Sequence, residues 1–387
     1  MSGGASASAA LLLAFSLAAC TSDSVNPGET TDHPFDPLAG QVRQVEGAAK
    51  DLPLDWRLEP RWQVGGANDG ELLLVQLFAK DLATDAHGNL YVIDRTQNRV
   101  VVYDQSGRLT RTLGRKGMGP GELTAAVALD VSADGEVRVD DVEKRAVVVF
   151  APDGGVLPEE RPSPRLRSTR TLTNGARAGA RYSARDTLSL LVVNDSSPTT
   201  LLTFVEPPSR DTPPVCGLTN YPAGPVFAPT LLWAVRGNRV VAATGAFRIS
   251  VFDAGVLESE LTRSTSTRRS TNDLARQHLG PGKTIQLFGM PPCTVPTDLV
   301  LSVAEIAETL PAYSALAIAP DDRIWATRYT VRGEAGIADI YHPERGYEGT
   351  VALGAVRPVM FLSGGEVVSL ETDEDGVPVV AVYRVVR

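Results

Sequence analysis

A ten-residue run from Gly114 to Leu123, GRKGMGPGEL, holds Gly114, Gly117, Gly119 and Gly121 with Pro120 and Glu122 among them. Glycines at that density free backbone N–H groups to converge on an anion, so a phosphate cradle is the first chemistry to consider. A dinucleotide cradle needs a strand before it and a helix after it. No helical periodicity follows here, so the glycines are expected to build a turn. A second run, Gly280-Pro281-Gly282-Lys283-Thr284, ends as a phosphate-binding loop would, but Gln277 stands where the first glycine is required. The histidines, His33, His87, His278 and His342, offer no pair at ligand spacing, so no metal ligands are assigned. The acids Asp81, Asp85 and Asp130 fall near the ends of strand-like runs, and Asp94-Arg95 and Asp140-Asp141 recur at equivalent strand ends. Asp at such places bonds turn amides; the alternative is a polar rim for a ligand. No G-x-S-x-G elbow occurs, and no catalytic residue is assigned. Cys216 and Cys293 each sit beside prolines, in PPVCGL and MPPCTV. One bridge between them and two unpaired thiols both remain open at this stage.

The elements that carry these residues repeat. Gly88 to Gly107 reads GNLYVIDRTQNRVVVYDQSG, and 47 residues later Gly135 to Gly154 reads GEVRVDDVEKRAVVVFAPDG. A repeat of this period marks a unit that buries its apolar face by stacking on copies of itself. The unit reads as an inner strand near Lys80–Thr84, a turn at 85–89, a second strand Leu90–Ile93, a third strand Arg99–Tyr103, a turn at 104–107 and an outer strand Leu109–Leu113. Four antiparallel strands with Asp/Gly turns make a propeller blade. The next inner strand is expected near Val127–Val131, across the GRKGMGPGEL connector. A weaker copy of that junction precedes the first unit, as Gln63-Val64-Gly65-Gly66 and Asp69-Gly70-Glu71-Leu72.

On these motifs the chain resembles the NHL-type six-bladed β-propellers, in particular bacterial lipoproteins of that kind. The resemblance implies an all-β fold: a six-bladed propeller of four-stranded antiparallel blades. Later blades are recognised by position: Gly237–Val241 with Ile249–Asp253 lies 149 residues beyond Gly88 and Tyr103-Asp104. Asp322–Ala326 with Ile340-Tyr341, and Gly364–Val368 with Val379–Tyr383, supply two more. A degenerate blade is read between 165 and 206 from Arg181–Ser183, Leu188–Val193 and Leu201–Val205. The stretch 257–313, polar and locally basic and then helix-like at Ser302–Thr309, reads as an insertion. The last blade lacks a fourth strand, and a lone strand at Trp56–Val64 is expected to complete it and close the ring.

The N-terminus carries an address. An apolar stretch from Ala9 to Ala19 is too short for a mature membrane span and ends in Leu17-Ala18-Ala19-Cys20. That ending resembles the lipobox of bacterial lipoproteins, in which the Cys thiol receives diacylglycerol. The resemblance implies a signal peptide at 1–19, a lipidated Cys20, and, with Thr21 rather than Asp following, the outer membrane. Residues 20–55, rich in Ser, Thr, Asp, Pro and Gly, read as a flexible tether to a propeller spanning 56–387. Export would place Cys216 and Cys293 where a disulfide persists.

Composition narrows the partners. With 387 residues, 35 Gly, 27 Pro and a net charge of −9, the chain suits a turn-rich all-β protein and lacks the basic surface a nucleic acid requires. The expectation is a monomeric, cofactor-free, membrane-anchored scaffold that binds a protein, peptide or glycan. The alternative is a hydrolase or lactonase that holds a divalent cation in the central channel, as the resemblance to some six-bladed propellers implies.

Overall fold

The computed structural model describes residues 42–387 except 68, 70, 71, 73, 75, 76, 162–165, 185, 195, 196 and 286–292. The segment 1–19, Cys20, His33 and the tether up to 41 therefore lie outside the described residues. The chain forms a six-bladed β-propeller. Blade 1 comprises Leu82–Thr84, Leu90–Asp94, Arg99–Tyr103 and Leu109–Leu113, each antiparallel to the next. Blade 2 comprises Ala126–Val131, Val137–Asp141 and Ala146–Phe150. Blade 3 comprises Arg167–Thr171, Arg177–Tyr182, Thr187–Asn194 and Ser197–Val205. Blade 4 comprises Leu231–Arg236, Arg239–Thr244, Arg248–Asp253 and Val256–Arg263. Blade 5 comprises Tyr313–Ile318, Ile324–Arg328, Gly336–His342 and Gly346–Gly354. Blade 6 comprises Pro358–Phe361, Val367–Thr372, Pro378–Val386 and, from the other end of the chain, Arg57–Gly65.

The continuous valine runs form third strands because both their faces are covered by neighbouring blades. Val100 to Tyr103 are all buried, with alternate residues packed toward blades 2 and 6. The third-to-fourth-strand turn of blade 1 needs glycine at Gly107, where φ is 80° and a Cβ would lie 2.7 Å from the Trp62 ring. Two expectations within the blades change. The first inner strand begins at Leu82, because the Asp81 carboxylate accepts the Phe78 amide at 3.0 Å and winds 79–81 into a helical turn. Blade 2 has three strands where four were expected. Its outer segment keeps only bridges at Val156 and Glu160, and Pro158 between them has no N–H for a ladder.

The ring closes as the terminal pattern implies: Arg57–Gly65 runs antiparallel to Pro378–Val386, from Arg57 opposite Val386 to Gly65 opposite Val379. The closure starts earlier than expected, however. Arg43–Gly47 adds a parallel fifth strand to the outer edge of blade 4, with Arg43 opposite Ser259 and Gly47 opposite Arg263. Leu54 N–H then donates to Thr350 O on blade 5, and Thr350 N–H returns the bond to Leu52 O, each at 2.8 Å. Residues 43–65 thus form a belt across the outer edges of blades 4, 5 and 6. A boundary at 55 does not describe this segment: from 43 onward it covers strand edges that would otherwise be exposed.

Arg263 fixes the belt. Its guanidinium, fully buried, donates to Ala48 O at 2.8 Å, Ala49 O at 3.1 Å, Asp51 Oδ1 at 3.0 Å and Asp339 Oδ2 at 3.1 Å. It also lies 3.9 Å from the centre of the Tyr347 ring. Arg328 bonds both Asp51 and Asp339 from the other side.

The insertion starts at 264 rather than 257, because Val256–Arg263 is the outer strand of blade 4. It is a packed cap, with helices α1 (Asn272–Leu279) and α2 (Thr297–Val303) and a hairpin pairing Gly282–Ile285 with Cys293–Pro296. The helix expected at Ser302–Thr309 ends instead at Val303. Residues 305–307 are extended, because Val226 N–H donates to Glu305 O and Ala307 N–H to Val226 O. The 206–230 connection before blade 4 packs into the same cap, with Ala223 against Val295 and Val300. A disulfide joins Cys216 of that connection to Cys293 of the insertion, with Cα atoms 5.7 Å apart. The staple lies outside the blades. The double variant C216S/C293S is therefore expected to open the cap to protease near 264–312 while the ring's melting temperature falls by only a few degrees; a collapse of the whole domain would contradict this placement.

Candidate functional site

The six inner strands surround a central cavity of about 630 Å³, within the size range of small-ligand sites. Its two sides differ. Blades 4 to 6 contribute a mostly apolar wall that includes Leu231, Trp233, Leu316, Met360 and Phe361, interrupted by Arg236, which donates to Phe361 O at 3.4 Å. Blades 1 to 3 contribute Lys80, Asp85, Asp130, Ser132, Arg170 and Thr171.

The charged residues of the second wall are bound to their neighbours. Asp85 accepts from His87 N and Asn89 N, each at 2.9 Å, from Asn89 Nδ2 at 2.7 Å and from Tyr91 OH at 3.1 Å. Asp81, fully buried, is paired with Arg95 through both carboxylate oxygens. Asp130 reaches across to blade 3, where Thr171 N and Oγ1 donate to its Oδ2 at 2.7 and 2.5 Å. Arg170 extends the other way. Its guanidinium donates to Leu129 O of blade 2 and to Ala79 O and Leu82 O of blade 1, the last two at 3.3 and 3.2 Å. One side chain of blade 3 therefore ties the inner edge of blade 2 to the start of blade 1. Burial lowers the Arg170 pKa, and Asp130, Asp140 and Asp81 oppose that effect.

Of the paired acids at strand ends, Asp94 and Asp141 hold turns. Asp94 accepts Thr96 N and Gln97 N, each at 3.0 Å, and Arg99 Nε at 2.9 Å. Asp141 accepts Thr124 N, Ala125 N, Glu143 N and Lys144 N. Asp140 differs from both. It lies between blades 2 and 3, and burial pushes its carboxyl up to about 6, with Asp130 and Glu160 adding to the rise while Arg177 and Arg170 oppose it. Its sequence signal was the doubled acid, which does not say which of the two faces inward.

The GRKGMGPGEL connector is a filled turn. Gly117 N donates to Leu123 O at 3.0 Å and Gly119 N to Glu122 Oε2 at 2.8 Å, so the amides a phosphate would use are occupied. The Glu122 carboxylate itself sits in the cradle, where a Cβ on Gly117 would come within 2.1 Å of it. That bond from Gly119, with help from Arg115, holds Glu122 below the ordinary carboxylate range. Gly114, Pro120 and Gly121 complete the crossing from blade 1 to blade 2. His87 lies in a turn of blade 1 and His342 ends the third strand of blade 5, whereas His278 is in the cap, where it meets Tyr329 OH at 3.2 Å. No three His, Cys, Asp or Glu side chains converge as a metal site among the described residues.

Residues 80–168 match the model of a protein family described as "6-bladed beta-propeller". A search of curated proteins finds no match to the chain. Among solved structures, the chain is similar to a Bacteroides fragilis protein described as exported. The two share 12% identity, with 89% of this chain and 100% of that chain covered and a TM-score of 0.51. A Bacteroides vulgatus protein from a family of unknown function shares 10% identity over 86% of this chain and 99% of its own, with a TM-score of 0.46. A streptogramin B lyase shares 12% identity over 86% of this chain and 98% of its own, with a TM-score of 0.38. At such identities the first of these shows a shared fold and nothing of function.

Proposed function

We propose that this chain is an exported lipoprotein of the NHL type, anchored through Cys20 to the outer membrane, whose propeller binds a protein, peptide or glycan without chemical turnover. The observation that carries this reading is the commitment of the channel's charges. Asp85, Asp130 and Arg170 each hold backbone or partner side chains in place around a cavity that is mostly apolar on the side of blades 4 to 6, apart from Arg236, and more polar on the other. Such a wall pair gives orientation to a ligand with an apolar body and polar groups on one side. Catalysis would call for a nucleophile and a base within reach of one another, and the channel's acids are engaged in turns and inter-blade bonds instead.

The competing reading is a divalent-metal hydrolase or lactonase. Metal analysis of the purified chain from residue 20, with thermal melts before and after EDTA, separates the two. The binding reading expects no stoichiometric divalent cation and an unchanged melt; a bound cation whose removal lowers the melting temperature would establish the enzyme reading. The anchor has its own test. C20S is expected to leave the membrane pellet and to incorporate no labelled palmitate, since stable attachment requires more than one acyl chain. Retention of both label and pelleting would show that the anchor lies elsewhere. No helix among the described residues is long and apolar enough to cross a membrane.

A further inference from the structure

One charge in the channel is not committed as the others are. Arg236 ends the inner strand of blade 4 and reaches past blade 5 to blade 6. There its guanidinium makes its one hydrogen bond among the described residues, to Phe361 O at a long 3.4 Å. It forms no ion pair among the described residues. The acids that act on it through space are already taken. Asp322 pairs with Arg239 at 2.8 Å, and Asp321 pairs with Arg323 at 2.8 Å and with Arg387. Burial lowers the Arg236 pKa, and Asp322 and Asp321 oppose that effect. Arg170, by contrast, is surrounded by carbonyls of blades 1 and 2. The channel as a whole is cationic in an acidic protein. Among its described residues Lys80, Arg170 and Arg236 stand against two acids, Asp85 and Asp130, whereas the chain carries −9. Asp85 is occupied by turn amides and Tyr91, and Asp130 by Thr171 across the seam between blades 2 and 3.

We propose that the channel holds a carboxylate carried on an apolar body, with the carboxylate on Arg236 and the body against Trp233, Met360 and Phe361. This rests on the reading of the channel as a site that binds without turnover, and it narrows the ligand by charge and size. A guanidinium presents its donors in the planar fork that a carboxylate accepts, and such charge-assisted bonds are about twice as strong as neutral ones. Arg236 has lost part of its hydration, and no acid of the protein replaces it, so an entering anion meets a cation already partly desolvated. Its bond to Phe361 O sets the guanidinium beside the apolar wall, where the hydrocarbon part of the same ligand gains by leaving water. A neutral glycan offers Arg236 no charge. A cavity of about 630 Å³ takes a small molecule or the last residues of a peptide, not a folded partner. Two sources supply this chemistry: a free organic acid, and the C-terminus of a peptide that ends in an apolar residue.

Calorimetric titration of the purified protein near neutral pH tests this with two matched pairs of probes. One pair is 4-phenylbutyrate and its amide; the other is a short acetylated peptide ending in phenylalanine, with its C-terminus free or amidated. In at least one pair the acid is expected to bind at least about tenfold more tightly than the amide. R236Q is expected to abolish that preference while the amide's affinity and the melting temperature stay unchanged, and R236K to keep part of it. A preference confined to the first pair assigns a free acid, and one confined to the second assigns a chain terminus. Equal binding of acid and amide, or a preference that survives R236Q, would overturn the assignment and leave the channel a binding site. Binding of none of the four also overturns it; the binding reading itself stands or falls separately, on the metal analysis above. Should R236Q fail to fold, the intact protein and R236K decide: an acid-to-amide ratio near one overturns the proposal, and a tenfold ratio that shrinks in R236K sustains it.

Discussion

A chain lacking residues 56–64 is expected to lose its single cooperative melt, or to melt at least about 15 °C below the intact protein. The closing strand does more than add a ladder. Its Val64 and Trp62 pack in the cluster between blades 6 and 1, while Trp56 and Leu58 pack between blades 5 and 6. At about 1.5–3 kcal/mol for each large apolar side chain fully buried, and less for the partly exposed ones, their removal costs on the order of 5–10 kcal/mol. That is comparable with the whole stability of an ordinary domain, about 5–15 kcal/mol. Deletion also leaves Pro378–Val386 as an open edge whose Val379, Val380 and Val382 are buried in the intact ring, so aggregation should accompany unfolding. Differential scanning calorimetry reads both effects. An unchanged melting temperature would mean that the ring closes without this strand.

R263A is the second large effect, with an expected loss of about 3–5 kcal/mol in urea unfolding. The size follows from what remains. Asp339 is fully buried, and without Arg263 it keeps Arg328 as its one cationic partner among the described residues while two belt carbonyls, at Ala48 and Ala49, lose their donor. Stripping one partner from a buried network costs more than the pair contributes, because the other charge stays desolvated. A loss below about 1 kcal/mol would contradict the role assigned to Arg263. Acid should act on the same latch through Asp51, whose carboxyl is held below its ordinary value of 3.8 by hydrogen bonding first to Arg328 and then to Arg263. A depressed acid stabilises the fold above its unfolded pKa and loses that contribution as pH falls further. The belt should therefore hold at pH 5 and loosen only below about pH 4.

Blade count and closure were legible in the sequence because they depend on local pattern: glycine turns at fixed spacing, valine runs, and a lone strand at Trp56–Val64 matched by a last blade short of one strand. What the sequence hid depends on partners far along it. Arg43–Gly47 looks like tether by composition and becomes a strand only because the edge at Ser259–Arg263 lies beside it. VLESELTR reads as polar insertion, yet alternation on an outer strand tolerates this many exposed polar groups. The cap was misread as loop and helix because its small core takes residues from two separate excursions, Ala223 and Val226 on one and Val295, Val300 and Leu310 on the other. The site was less legible still. Asp81, Asp85 and Asp130 were identified by position, but Arg170, which spans three blades, sits in a degenerate repeat with no motif. Asp140 and Asp141 are neighbours with opposite fates, one accepting four backbone amides and the other turned into the seam, a distinction set by strand facing alone.

One continuous segment, residues 43–65, is built into the ring from residue 43 onward. Hydrogen exchange at residues 43–54 of the intact protein tests it most directly. The belt predicts slow exchange at the amides of Arg43–Gly47 and at Leu54, with protection near that of the closing strand Arg57–Gly65. Exchange at the random-coil rate up to residue 55, with protection beginning only at the closing strand, would restore a free tether and contradict the account.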